Sequence, residues 1–243
     1  MELADALAAE GIVCAVGAGG KKTAMAALAA ATDRATVTAT VRIPKAFADR
    51  EEVARLVATD DPASAVRDNE TWPLEVVPGA ADESRHAGYE NATVAELRNV
   101  APGPVLVKAD GARMRRFKAP NEREPQLPAN ADTVLAIASA RAVGEPLDEG
   151  VVHRPERVAD ITERSVGTEI RAEDVAAVLA STDGGMKAVP DGATAVAVVN
   201  MVDDDRLEAV GREIAEATLA RSDRVDRVAL TKLDESRVVD VVV

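Results

Sequence analysis

The sequence contains a single cysteine, Cys14, and aromatic residues make up only 2% of its 243 residues. One cysteine excludes an intramolecular disulfide and a zinc site built from several cysteines. Trp, Tyr and Phe are too few to fill a core. The 47% of residues that are hydrophobic therefore predict a core of Ala, Val, Leu and Ile.

Long apolar runs are also missing. None approaches the roughly 18 residues that a membrane-spanning helix needs. The chain begins Met-Glu-Leu-Ala-Asp, which is acidic where a signal peptide is basic. We therefore expect a cytoplasmic protein that makes no contact with a membrane.

Positive charge is scarce: 29 Lys and Arg face 42 Asp and Glu, for a net charge of −13. Nucleic acids are bound by clustered positive charge, so the composition argues against a nucleic-acid partner. It leaves room for one small anion in a local pocket. Only seven of the basic residues are Lys, and two explanations stay open: adaptation to high salt, in which excess acidic charge is screened, and high-GC codon usage.

Apolar runs rich in β-branched residues alternate with helical patterns along the chain. The predicted strands are 12–16, 35–41, 105–109, 133–138, 194–199, 225–231 and 238–243. The predicted helices are 21–31, 172–180 and 204–219, and Thr93 with Glu96 forms a possible capping box for another. Continuous apolar strands between helices predict a mainly parallel sheet covered on both faces.

Two stretches depart from this alternation. Residues 59–88 are rich in Asp, Pro, Ala and Gly and predict a surface segment, and residues 144–181 are charged and predict a small helical insertion. The fold that we predict is a three-layer α/β domain of the phosphate-loop NTPase type spanning residues 1–243, with that insertion inside it.

A glycine-rich loop, Gly17-Ala18-Gly19-Gly20-Lys21-Lys22-Thr23, stands between the first strand and the first long helix. Glycines allow backbone amides to surround an anion, the helix N-terminus adds its dipole, and a lysine reaches the outer phosphates. We predict that Gly17 to Gly20 and Lys21 bind phosphates.

The loop departs from both standard nucleotide-binding patterns. When the loop is aligned with the phosphate-loop motif, this chain has Ala15 at the first glycine position and Lys22 at the position of the hydroxyl that ligates magnesium. Thr23 follows one place later. In the dinucleotide motif, Lys22 stands at the third glycine position. A glycine-rich turn with solvated lysines is the remaining alternative.

The apolar run 105–109 ends at Asp110, and a basic segment follows. Ligands of doubly wound sheets bind beyond the carboxyl ends of strands, so Asp110 is placed to reach a metal or a metal-bound water. Arg113 and Lys118 are candidates for binding a second, anionic ligand. A capping role for Asp110 and a salt-bridged surface loop around the basic residues are the alternatives.

An Asn200-Met201-Val202-Asp203 turn follows the strand 194–199. Phosphate-loop GTPases have Asn-Lys-x-Asp at this place, where the Asp binds the base and the Asn steadies the pocket. We therefore predict that Asn200 and Asp203 face a nucleotide base, with Thr231-Lys232-Leu233-Asp234 lining the same pocket. Helix capping by these residues is the alternative.

These motifs, in this order, resemble the selenium-dependent hydroxylase accessory protein family, the YqeC-like proteins. The resemblance covers most of the chain. It is carried by the glycine loop with Thr23, by 36–40 with Pro44, by 109–113, by 118–120, by Glu124-Pro125 and Pro128, by Gly185, Lys187 and Pro190, and by 200–203.

This resemblance implies a phosphate-loop nucleotide-binding fold and a role in the maturation of a molybdenum hydroxylase or its molybdopterin cofactor. The expected ligand is ATP or GTP, and the expected activity is slow hydrolysis, with Asp110 and Lys21 as the catalytic residues. A nucleotide-binding or scaffold protein without hydrolysis is the alternative. A second copy of the chain is a further possible partner.

The magnesium site is the point at which this sequence differs from the family, which has Thr where this chain has Lys22 and Glu where it has Lys108. Side chains two apart on a strand share a face, so Lys108 and Asp110 are expected to point the same way. Two alternatives follow. Either Lys22 and Lys108 bring ammonium groups to the metal position, or a shifted loop lets Thr23 and Asp110 hold the metal.

Overall fold

The computed structural model describes residues 1–47 and 52–243. In chain order, its helices are α1 (Leu3–Ala6), α2 (Lys21–Ala31), α3 (Pro62–Arg67), α4 (Asn91–Leu97), α5 (Pro155–Thr162), α6 (Ala172–Ala180) and α7 (Asp205–Leu219). Single 3-10 turns are at Lys45–Phe47, Ala140–Ala142 and Leu233–Glu235.

The strands are β1 (Ile12–Gly17), β2 (Thr36–Ala39), β3 (Ile43–Pro44), β4 (Arg55–Ala58), β5 (Leu74–Val77), β6 (Arg85–His86), β7 (Val105–Lys108), β8 (Phe117–Lys118), β9 (Thr133–Ser139), β10 (Val152–His153), β11 (Thr194–Asn200), β12 (Arg227–Lys232) and β13 (Arg237–Val242).

Within the described residues, nine strands form one sheet in the order β13-β12-β11-β9-β1-β7-β2-β5-β4. Every neighbouring pair is parallel except β12 and β13, which are antiparallel. The remaining strands pair two by two, β3 with β6 and β8 with β10. The predicted α/β fold with a mainly parallel sheet is confirmed.

Successive side chains of each central strand enter two separate cores, as the pleat requires. On β1, Ile12, Cys14 and Val16 pack in the core that also contains residues of α4, α6 and α7, whereas Val13 and Ala15 pack in the core that contains α1 and α2. Both cores consist mainly of Ala, Val, Leu and Ile. The sheet is thus covered on both faces, which makes three layers.

The register of the central strands brings the ends of β1, β7 and β9 together. Ala15 of β1 pairs with Lys108 of β7, and Gly17 pairs with Ile137 of β9. Asp110 stands two residues beyond Lys108, so it lies level with Gly17 at the carboxyl edge of the sheet. This is the edge at which open α/β sheets bind ligands.

Segment 144–181 contains α5, α6 and the short strand β10. The predicted helix 172–180 coincides with α6, which packs against β9 and α7. Since β10 pairs with β8, the segment also contributes strand structure that its charged sequence did not indicate. The single-domain organisation, with 144–181 as an insertion, stays a prediction.

The surface assignment of 59–88 is wrong. This stretch contains β5, whose four residues are all buried and which pairs with both β2 and β4. The strand is only four residues long, Leu74-Glu75-Val76-Val77, and includes a glutamate, so it carries little apolar signal in the sequence. The capping box is also wrong, because α4 begins at Asn91 and Thr93 lies inside its first turn.

No helix in the described part of the chain is both long enough and apolar enough to cross a membrane.

The position of β5 in the sheet is testable by comparing two leucines. Leu74→Ala in β5 should lower the free energy of unfolding by about 2–5 kcal/mol, since a buried side chain is replaced by a cavity. Leu56→Ala in β4, where 39% of the leucine is exposed, should cost about 1 kcal/mol or less. Urea denaturation of both variants measures the difference. Equal, small decreases in the free energy of unfolding would contradict the buried position of β5.

Candidate functional site

The glycine loop connects β1 to α2 through a backbone that only glycine adopts easily. Gly17, Gly19 and Gly20 have φ angles of +89°, +86° and +142°. A Cβ atom at Gly17 would lie 2.2 Å from the carbonyl oxygen of Ile137, and one at Gly20 would lie 2.3 Å from Nδ2 of Asn200. The glycines therefore serve both the turn and the close approach of neighbouring strands.

Three loop amides donate to protein acceptors. Gly17 N–H donates to Asp110 Oδ2 at 2.8 Å, Ala18 N–H to Ile137 O at 2.8 Å, and Gly19 N–H to Arg115 O at 3.0 Å. Phosphate binding by the whole of Gly17 to Gly20 stays a prediction, but three of these amides are engaged in this arrangement.

The first turn of α2 offers a second set of amides. Its first helical hydrogen bond runs from Ala24 N–H to Gly20 O at 2.8 Å, so the amides of Lys21 and Thr23 precede the helical ladder. Amides at a helix N-terminus favour an anion. An anion would therefore meet amide donors at the start of α2 rather than in the interior of the loop.

Asp110 lies at the centre of a buried cluster of charges. Its Oδ1 is 2.9 Å from Lys21 Nζ, and its Oδ2 accepts hydrogen bonds from Lys118 Nζ at 2.8 Å and from Gly17 N–H. Lys21 also donates to Gly17 O. Burial would raise the pKa of Asp110, but the ammonium groups of Lys21 and Lys118 outweigh it and hold that pKa below its usual range.

Lys118 is surrounded by oxygen atoms. Besides Asp110, its Nζ donates to Gly111 O at 2.6 Å and to Glu124 Oε2 at 2.8 Å, and its side chain is fully buried. Glu124 also accepts from Gly111 N–H at 3.1 Å and from Arg154 Nη1 at 2.8 Å. Burial opposes ionisation of Glu124, yet the charge of Lys118 keeps the Glu124 pKa lowered.

Lys108 joins the cluster from the end of β7. Its Nζ donates to Arg42 O at 2.8 Å and to Asp110 O at 2.9 Å. Burial and the nearby Lys21 ammonium lower the pKa of Lys108 to about 7, in spite of the attraction of Asp110. We name the set consisting of Lys21, Lys108, Asp110, Lys118, Glu124 and Arg154 the Asp110 cluster.

One of the two alternatives drawn from the sequence placed the ammonium groups of Lys22 and Lys108 at the metal position near Asp110. Lys108 lies there, whereas the other lysines that act on its pKa are Lys21 and Lys118. Lys22 is half-buried in the first turn of α2. Lys118 was predicted to bind an anionic ligand, but its ion pairs with Asp110 and Glu124 were not predicted, and Arg154 was missed because its approach to Glu124 depends on the pairing of β8 with β10.

The residues proposed as magnesium ligands, Asp110 and Thr23, do not fit a divalent cation in this arrangement. Both carboxylate oxygens of Asp110 are already occupied by lysine ammonium groups. Thr23 is half-buried in the first turn of α2. Residues 1–47 and 52–243 contain no group of three or more His, Cys, Asp and Glu that could hold a metal.

A cavity of about 20 Å³ borders Gly17, Asp110 and Lys118 on one side and Leu179 and Gly185 on the other. That volume holds about one water molecule. It is far too small for a nucleotide.

Asn200, at the end of β11, connects the glycine loop to the end of β12 through hydrogen bonds. Its Nδ2 donates to Gly19 O at 2.8 Å, while its Oδ1 accepts from Leu233 N–H at 3.0 Å and from Thr231 Oγ1 at 3.3 Å. All of these polar groups are buried, so the amide satisfies atoms that would otherwise be unpaired. In this arrangement Asn200 supports the loop.

Asp203 lies at the outer side of the same region. Its carboxylate forms an ion pair with Arg141 Nε at 2.6 Å, and the Arg141 side chain is half exposed. The Asp203 charge also acts on Lys232, whose ammonium pairs with Glu235. Contact of Asn200 and Asp203 with a base stays a prediction, and Arg141 is a neighbour that the sequence did not indicate.

Arg113 and Lys118 occupy different environments. Arg113 is exposed and has a left-handed backbone with a φ of 47°, whereas Lys118 is buried. Both lie near His153, whose pKa is lowered to about 4 by burial and by the charges of Arg154, Lys118 and Arg113. A second anionic ligand would therefore meet Arg113 at the surface rather than Lys118.

The family model described as YqeC protein matches residues 13–156, which include the glycine loop and the whole Asp110 cluster. The "Uncharacterized protein YqeC" of Escherichia coli (strain K12) is 32% identical over 96 residues. That alignment covers 40% of this chain and 38% of the relative, so the chain spans under two fifths of it. No solved structure matches the chain significantly.

The support of the loop by Asn200 is testable. Asn200→Ala should lower the free energy of unfolding by about 1–3 kcal/mol, because buried partners on Gly19 and Leu233 lose their hydrogen bonds. Asn99→Ala is a control, since Asn99 is exposed and should tolerate the change within about 0.5 kcal/mol. Chemical denaturation measures both, and an unaffected Asn200→Ala protein would contradict the assignment.

The lowered pKa of Lys108 predicts a pH dependence of stability. Between the folded-state pKa of about 7 and the ordinary value of 10.5, the unfolded chain binds more protons than the folded one. The contribution of Lys108 to stability therefore rises as pH increases across that window. Lys108→Met removes it.

The measurement is urea denaturation of wild type and Lys108→Met from pH 6 to pH 10. The wild-type free energy of unfolding should rise relative to the variant by a few kcal/mol, since one pKa unit corresponds to about 1.4 kcal/mol. Parallel curves would mean that Lys108 is not titrating in this range.

Proposed function

The chain belongs to the YqeC protein family, and from that premise we propose that it is an accessory protein that binds a nucleoside triphosphate at the start of α2. Following the family resemblance, the process that it serves is maturation of a selenium-dependent molybdenum hydroxylase or its molybdopterin cofactor.

The observation that carries the proposal is the charge of the Asp110 cluster. It places three cationic side chains, those of Lys21, Lys118 and Arg154, against the two carboxylates of Asp110 and Glu124, and the ammonium of Lys108 against the backbone carbonyl of Asp110. Burial lowers the pKa of Lys21 while Asp110 opposes that shift, so with Lys21 protonated and Lys108 neutral the cluster carries one positive charge in excess. In a chain with a net charge of −13, this excess favours an anionic ligand.

Lys21 is the residue that would contact the phosphates. It lies in the first turn of α2, where the helix dipole and the first-turn amides also favour an anion. To reach a phosphate, its ammonium exchanges the Asp110 carboxylate for the ligand. Asp110 then keeps the Lys118 ammonium and the Gly17 amide on Oδ2, while Oδ1 gives up its ion pair with Lys21.

ATP and GTP are both candidate ligands, with Asn200 and Asp203 on the side of the base. Asp203 is an acceptor that suits the donors on the Watson–Crick edge of guanine, but Arg141 already pairs with it. Base recognition would require Arg141 to move or to join the contact. The exposed half of the Arg141 side chain leaves room for either.

Slow hydrolysis with Asp110 and Lys21 as catalytic residues is one form of the proposal. The second candidate is nucleotide binding without hydrolysis. It is favoured by the ion pairs of Asp110 with Lys21 and Lys118, since they hold the pKa of that carboxyl below its usual range and so make it a weak base toward water. Release of inorganic phosphate from ATP and GTP by the purified protein separates the two forms.

The binding proposal is tested with Lys21→Met, which keeps the length of the side chain and removes its charge. ATP and GTP affinity, measured by calorimetry, should fall at least about tenfold, because a charge-assisted contact to phosphate is lost. Lys45→Met, outside the glycine loop and the Asp110 cluster, is the control and should bind as wild type does. If Lys21→Met melts at the wild-type temperature and binds ATP and GTP with unchanged affinity, the loop does not bind the phosphates.

A further inference from the structure

The nitrogen of Lys118 stands inside a shell of three oxygens. Its distances are 2.8 Å to Asp110 Oδ2, 2.6 Å to Gly111 O and 2.8 Å to Glu124 Oε2. An ammonium group has three N–H donors, and each finds one acceptor here. The side chain is fully buried, so this arrangement excludes bulk water.

Such a shell has the composition of a divalent-cation site. Magnesium and calcium prefer carboxylate and carbonyl oxygens, and one or two carboxylates are usual for magnesium beside a nucleotide. Here two carboxylates and one carbonyl converge on a single cation, and that cation is the lysine. The Asp110 carboxylate in this shell also contacts Lys21 and Gly17 of the glycine loop.

We propose that the Lys118 ammonium is a built-in cation that occupies the place of a divalent metal, so that this chain binds nucleotide phosphates without magnesium. The nucleotide part rests on the proposed function, whereas the occupied cation site rests on the geometry of Lys118 alone.

Four neighbouring groups occupy the other acceptor sites of Glu124 and Asp110 and so favour the lysine over a metal ion. Arg154 donates to the same Oε2 of Glu124, and Gly111 N–H donates to its Oε1. Lys21 and the Gly17 amide occupy the rest of Asp110. A metal ion would have to displace a tethered ammonium whose hydrogen bonds are all satisfied.

The chemical consequence is a division between binding and hydrolysis. An ammonium neutralises nearby negative charge as a point charge, and Lys118 thereby leaves the charge of Lys21 for the phosphates. It does not acidify a bound water as a metal ion does. The site is therefore suited to hold a nucleotide rather than to activate water.

The cation site is tested without nucleotide, using Mn²⁺ and its electron paramagnetic resonance signal. Wild type should leave millimolar Mn²⁺ free, whereas Lys118→Ala should bind it through the vacated oxygens of Asp110 and Glu124. The Lys118→Ala, Glu124→Gln double variant should lose that binding. Mn²⁺ should also raise the melting temperature of Lys118→Ala and leave that of wild type unchanged, since a ligand that binds only the folded state stabilises it.

Tight Mn²⁺ binding by wild type that Glu124→Gln abolishes would show that a metal displaces Lys118 and would overturn the proposal. Failure of a folded Lys118→Ala protein to bind Mn²⁺ would overturn it as well. If Lys118→Ala does not fold even with Mn²⁺, Lys118→Ser, which also vacates the oxygens of Asp110 and Glu124, is measured in its place, and the wild-type arm needs no variant.

The nucleotide part is tested by calorimetry of ATP binding to wild type in EDTA and in millimolar magnesium. The dissociation constants should agree within about threefold, whereas a loss of about tenfold or more in EDTA would overturn the metal-free binding. Absence of ATP and GTP binding under both conditions would overturn the proposed function and the nucleotide part together. The manganese result would still decide whether Lys118 fills a cation site.

Discussion

The carboxylate of Asp110 is the interaction on which the rest of the site depends. It accepts a hydrogen bond from Gly17 N–H at the end of β1 and another from Lys118 in β8, and it forms an ion pair with Lys21 at the start of α2. Burying a carboxylate is costly unless its oxygens are paired and hydrogen-bonded. Its three partners therefore fix the relative positions of three elements, and the loss of any one would leave the charge partly exposed to an apolar surrounding.

The sequence was sufficient for the parts of the site that are local in the chain. An apolar strand followed by glycines, a lysine and an alanine-rich helix predicted β1, the loop and α2 with boundaries close to those observed. The register that sets Asp110 level with Gly17 follows from two neighbouring parallel strands. These features need only strand periodicity and turn chemistry, both of which can be read from the residues.

The remainder of the site is made by contacts that no local pattern encodes. Lys118 and Glu124 were visible as a basic residue and an acidic residue in a proline-rich stretch, but their shared contact with Arg154 depends on the pairing of β8 with β10. Strand β5 was missed for a similar reason, because its four residues are recognisable as a strand only when β2 and β4 flank them. Both features, the contact with Arg154 and strand β5, depend on the pairing of strands distant in the chain. Short segments have little secondary-structure preference of their own.

The hydrogen bond from Asn200 to Gly19 joins residues 181 positions apart in the chain. Contacts of such long sequence separation require the intervening chain to be ordered first, which makes them slow to form. The glycine loop therefore cannot acquire its final shape until β11, near the far end of the chain, has entered the sheet. During synthesis, the glycine-loop edge of the sheet would remain incomplete until that strand had left the ribosome, so any ligand of this edge would meet a finished site only when folding is complete.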